Sequence, residues 1–280
     1  MLTFKQALKS AGAVVGLVGA MSANAYTVGG IDFGNSLSLN HLETTTLAQT
    51  FINGNGQSAT AYGSISTVNG DSTYCAGGGS CSLYFIATFS GSQNFSSSYV
   101  EFSSATITVY YSNSTVNLFN QDSVANLASI QGMTTWLTLT GHNNLGGGAS
   151  TNAVVTGTGS LSGATLNGGG AGLFDVGSPG LASVIASFDT NTIADAAGGF
   201  ADVALTSSFN NFVLNEFDVA NGLATGCENG TAAVGAWCYQ GSSNLRGKLQ
   251  AVPEPSSLAL AGLGFGVMGA LSRRRRNAKK

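Results

Sequence analysis

The sequence predicts an all-β protein: an antiparallel β-sandwich or jelly-roll-like domain, with an N-terminal signal helix and a C-terminal transmembrane helix. Three observations predict it. Short runs alternate apolar residues with Ser and Thr, clusters of Gly, Asn and Ser separate these runs, and an uncharged apolar stretch stands near each end. Alternation of period two, rich in β-branched and aromatic residues, marks half-buried strands. Many short strands with regular turn signals point to a sandwich or barrel, of which the sandwich is the first expectation.

The first element is a signal segment, residues 1–25. Lys5 and Lys9 precede an apolar stretch from Ala11 to Met21, and Ala23-Asn24-Ala25 supplies small residues at the cleavage positions. A basic region, a short apolar core and an A-x-A site describe a secretory signal peptide, cut by signal peptidase between Ala25 and Tyr26. The apolar core is too short for a lasting membrane helix.

The extracytoplasmic domain follows, residues 26–250. In "CSLYFIATFS", Leu83, Phe85, Ala87 and Phe89 share one face. In "SATITVYY", Ala105, Ile107, Val109 and Tyr111 alternate with Thr106, Thr108 and Tyr110. "TTWLTLTG" sets Leu137 and Leu139 opposite Thr138 and Thr140, and "FADVALTSSF" puts Val203, Leu205 and Phe209 on one side. "QDSVANLASI" and "SSNLRGKLQA" are the two helix candidates. The run "GHNNLGGGASTNAVVTGTGSLSGATLNGGGAG" has few bulky side chains and reads as a flexible loop or glycine-rich edge, within one continuous domain.

Charge is unevenly placed. Between Asp32 and Glu228 stand twelve acids, and Arg246 and Lys248 are the bases of the domain, so its net charge is about −10 against −3 for the whole chain. Such a surface repels nucleic acid and anionic membrane. Export makes disulfides the expected state of Cys75, Cys81, Cys227 and Cys238. Three pairings are possible; 75–81 with 227–238 is the most economical, each closing a short loop worth roughly 2–3 kcal/mol. The spacings are not those of structural zinc ligands.

No catalytic constellation emerges, no metal site is assigned and no cofactor is implied. The histidines are His41 and His142, and His142 falls on an expected solvated loop. Nucleophilic catalysis needs a base beside the nucleophile, and neither a located partner nor a G-x-S-x-G elbow is present. "DTNTIAD" offers Asp189, Asn191 and Asp195, but Ile193 and Ala194 stand where a calcium loop wants Asp or Asn and then Gly. Glu216 and Asp218 lie on one side of an expected strand and suit an ion or plain exposure equally. Tyr84, Tyr110, Tyr111, Trp136 and Trp237 are candidates for a sugar-stacking surface, against the alternative of core packing. The expectation is a non-enzymatic protein.

The last element spans residues 251–280. Val252, Pro253, Glu254 and Pro255 form an extended, exposed handle, because proline disfavours helix at itself and at the residue before it. Residues 256–272 carry no charge and are just long enough for a tilt-free transmembrane helix of about 26 Å. Arg273, Arg274, Arg275 and Arg276, with Lys279 and Lys280, would hold its end on the cytoplasmic side. Pro-Glu-Pro, a Gly-containing apolar run and a terminal Arg cluster, in that order behind a signal peptide, resemble the PEP-CTERM sorting signal. The resemblance covers residues 253–280. It implies processing near Pro-Glu-Pro by an exosortase, a membrane-embedded cysteine transpeptidase. It also implies transient insertion in the inner membrane of a Gram-negative bacterium. The expected destination is the cell surface or extracellular matrix, in a biofilm or floc setting, with extracellular polysaccharide as a partner.

Overall fold

The computed structural model describes residues 26–34, 40–48, 51–160, 167–210 and 241–250, with 217, 220, 221, 237 and 238. Nine strands form the main sheet: β1 (Asn40–Ala48), β2 (Ala59–Val68), β3 (Ser82–Gln93), β4 (Tyr99–Ser112), β5 (Thr134–Gly141), β6 (Val155–Ser160), β7 (Asn167–Gly177), β8 (Val203–Asn210) and β9 (Gly241–Gly247). Among the described residues, two α-helices join them, α1 (Ser123–Gln131) and α2 (Ala182–Phe188).

The sheet closes on itself. Strands β1 to β5 pair antiparallel in chain order, β5 pairs β7, β7 pairs β8, β8 pairs β9, and β9 returns to β1. The sandwich or jelly-roll expectation is therefore wrong: the fold is an eight-stranded, closed, antiparallel barrel. Sandwich strands and barrel strands alternate identically, and only the long-range pairing of β9 with β1 tells them apart.

One stave of the barrel is broken. Strand β4 faces β5 with Thr106–Tyr111 and faces β6 with Tyr99–Phe102. Strand β7 does the same with Phe174–Gly177 and Asn167–Gly172. β5 and β6 thus lie end to end in one slot, and residues 142–154 leave the wall between them. Within the glycine-rich run, residues 155–158 and 167–172 are wall strands paired on both sides, so these parts are neither a free loop nor an edge.

The interior is filled by the faces the alternation marks. Ala61, Ala87, Ile107 and Leu139 meet in one register, and Phe85, Val109 and Leu137 in the next. Apart from Ala61, they belong with Leu42, Val68, Leu205 and Leu245 to a single buried cluster. The wall is tight at Gly63: a Cβ there would lie 1.8 Å from the Thr45 carbonyl oxygen and 2.9 Å from the Phe85 ring. One barrel end is plugged by Trp136, which is 0% exposed. Its ring packs edge-on to Phe188 at 5.6 Å and stacks with Phe33 at 6.4 Å, while Nε1 donates to the Gly29 carbonyl at 3.0 Å.

Helix α1 covers the outer wall. Asp122 caps it by accepting from the Ala125 N–H at 2.7 Å. Tyr62, Tyr84, Leu118 and Ile130 form a second buried cluster beneath it. Of the two helix candidates, "QDSVANLASI" supplies all but the last residue of α1. "SSNLRGKLQA" instead supplies β9, where Leu245 points inward and the burial alternates along the strand. Among the described residues no helix is long and apolar enough to cross a membrane. The signal helix over 1–25 and the transmembrane helix over 256–272 lie outside the described residues.

Candidate functional site

The excursion 142–154 is held by carboxylates on two sides. Its first residue, His142, lies between two aspartates: Nδ1 is 2.9 Å from both oxygens of Asp175, on β7, and Nε2 is 3.1 Å from Asp195 Oδ2. The His142 side chain is 17% exposed and that of Asp195 4%, so the histidine is not the solvated loop residue expected. Asp195 Oδ1 also accepts from the Ala197 and Gly199 amides at 2.8 and 2.6 Å. Burial works against a charged imidazole, yet the bonds to Asp175 and Asp195 outweigh it and hold the His142 pKa above its ordinary value. For Asp195, burial is likewise outweighed, by His142 and the backbone amides, and its pKa falls. Two carboxylate acceptors require an N–H on each ring nitrogen, so this geometry selects the imidazolium. Neither nitrogen is directed at a nucleophile, as a general base would need to be.

The second support is Glu101, on β4 and 0% exposed. It accepts from Tyr99 OH at 2.5 Å, Asn94 Nδ2 at 2.7 Å, the Ser150 amide at 3.3 Å and the Ala149 amide. Burial would raise its pKa; the bonds from Tyr99, Ser150, Asn94 and Ala149 prevail and lower it. Burial and then the Glu101 carboxylate push Tyr99 up to about 12. Gln93 Nε2 adds a bond to Asn152 Oδ1 at 2.8 Å. A buried charge is tolerable here because donors surround it.

A third cluster joins the two ends of the barrel chain. Tyr26 donates its amide to the Gly34 carbonyl at 2.6 Å and its hydroxyl to the Gln250 carbonyl. Gln250 donates its amide to the Ser187 carbonyl at 2.9 Å, and Nε2 to the carbonyls of Ala186 at 2.7 Å and Asp189 at 2.8 Å. Leu249 beside it is buried.

The remaining predicted residues fall as follows. Cys75 and Cys81 form a disulfide; Cys227 lies outside the described residues, as do Ala23, Ala25, Val252, Pro253, Glu254, Pro255 and Arg273, Arg274, Arg275 and Arg276. Asp189 accepts from Asn191 Nδ2 at 3.0 Å, while Asp195 turns away to His142. Among the described residues no group of three His, Cys, Asp or Glu could hold a metal ion. Glu216 and Asp218 are not described. Trp136 and Tyr84 are core residues, so they cannot stack on a sugar. Tyr110 and Tyr111 are partly buried, and Tyr84 OH donates to the Val116 carbonyl at 3.1 Å.

Register reveals a feature that the sequence hid. Thr60, Thr88, Thr106 and Thr140 are aligned across β2, β3, β4 and β5 on the outer wall. Neighbouring members are about 4.8 Å apart across the sheet. Thr88, Thr106 and Thr140 are exposed, and Ser104 extends the polar face along β4.

The PEP-CTERM protein-sorting motif matches residues 251–276. The match begins one residue beyond Gln250, the last described residue. It marks an exported chain, held at the membrane and sorted by an exosortase, a membrane transpeptidase. No curated protein and no solved structure matches the chain.

Proposed function

We propose that this chain is a non-enzymatic surface or matrix protein of a Gram-negative bacterium, delivered by exosortase processing and associated with extracellular polysaccharide in a biofilm or floc. The sorting motif on residues 251–276 carries the reading. The filled barrel supports a structural role, because one buried cluster occupies the space where many barrels hold a ligand. The occupied nitrogens of His142 support the absence of hydrolytic chemistry. The outward hydroxyls of Thr88, Thr106 and Thr140 suit hydrogen bonding to a polysaccharide, and net negative charge with sparse bases disfavours nucleic acid.

The test is the double variant Pro253→Ala, Pro255→Ala in the full chain, followed by fractionation. The variant should stay in membranes while the wild type is released or passed to the surface. Release of both forms at equal rates would overturn the sorting reading. Retention of the purified mature protein on the native polysaccharide, weakened by Thr88→Val with Thr106→Val and Thr140→Val, tests the destination.

A further inference from the structure

Gln250 is a fixed point. Its amide, carbonyl and side-chain nitrogen are all engaged, by Ser187, Tyr26, Ala186 and Asp189. Pro253 follows three residues later. Three extended residues reach about 11 Å at most, and the six to Ser256 about 22 Å. A membrane-embedded enzyme that handles the chain between Pro253 and Ser256 must therefore work within about 11 to 22 Å of the barrel end from which β9 emerges.

We infer that this end of the barrel, presented by α2 and Tyr26, is a contact surface for the sorting transpeptidase. The inference rests on the sorting reading and names the face of the cargo that the enzyme meets. Which end it is follows from pairing: Gly247 aligns with Asn40, the start of β1, and Leu42 with Val68, the end of β2. The turn between β3 and β4, with exposed Ser97, lies at the other end. The run "SPGLASVIASF", residues 178–188, contains no charged residue in a domain of net charge about −10. Ala182 and Ser183 are exposed on it. An acidic body held this close to an anionic membrane surface is repelled, and the uncharged α2 run, beside exposed Asp71, Asp189 and Lys248, is the part of this end that adds nothing to that cost. Tyr26 donates its hydroxyl to the Gln250 carbonyl, so the first and the last described residues meet on this face, beside the plug of Phe33, Trp136 and Phe188.

The experiment uses the full chain co-expressed with its transpeptidase. A photo-crosslinking amino acid replaces Ser183 at the near end or Ser97 at the far end, and cleavage is read in the same samples. The enzyme should be captured about tenfold more strongly from position 183 than from 97. A flexible spacer of roughly twenty residues after Gln250 should remove most of that difference, because effective concentration falls with linker length. Cleavage with equal capture from both positions, or with none from 183, would overturn the contact surface. An uncut tail would overturn the sorting reading instead, so the two failures are distinguishable.

Discussion

At the scale of single residues, four side chains have roles that composition does not announce. Trp136 is invisible as a plug in the sequence, because "TTWLT" places it where a strand face and a binding platform look alike. Its neighbours Phe33 and Phe188 are about 100 and 50 residues away. Trp136→Ala should destabilise the barrel by about 3–5 kcal/mol, read as a lower urea midpoint at unchanged slope. A change below about 1 kcal/mol would place the ring outside the core. His142 gives a pH dependence of known sign. Its folded pKa is raised, so the stability it contributes is fully present below its unfolded pKa of about 6.5 and is lost as pH rises through the higher folded value. Glu101 and Asp195 are lowered, so theirs is present above the unfolded carboxylate pKa of about 4 and is lost as pH falls through the folded values. The wild type should therefore lose Tm between neutral and alkaline pH, and His142→Asn should lose much less over that range. Equal slopes would refute the imidazolium bridge.

At the scale of elements, local chemistry was legible and partnership was not. The inward sets on β3, β4 and β5 follow the alternation, since these positions fill the barrel while the outward ones face water or, like Tyr84, helix α1. The cap of α1 by Asp122 is a local signal. The last strand escaped detection because "SSNLRG" offers a single bulky apolar residue, Leu245, and β9 is a strand through its two neighbours rather than its own propensity. The 142–154 excursion escaped because its anchors, Glu101 and Asp175, come from strands on either side of it. Glu101→Gln should keep the barrel but free this segment. Hydrogen exchange of the Ala149 and Ser150 amides should quicken by at least about tenfold, with the amides of β3 and β4 unchanged. Unaltered protection at 149 and 150 would show that the segment holds itself.

At the scale of the whole molecule, closure is what distinguishes this protein from the sandwich its strands suggest. A sandwich leaves edges open to strand addition, whereas the ring of β1 to β5, β7, β8 and β9 pairs every member on both sides. Under the proposed matrix role, assembly would then fall to the outer hydroxyl face and to the processed tail. Closure could not be read from the sequence because it depends on β9 meeting β1, about 200 residues apart. The sorting tail was legible because its parts are contiguous and chemically distinct. The most direct measurement is the intact mass of the protein recovered outside the cell. The account predicts a chain that begins at Tyr26 and ends between Pro253 and Ser256, without the apolar run and the arginines. A chain that still ends at Lys280 and is found in membranes alone would contradict it.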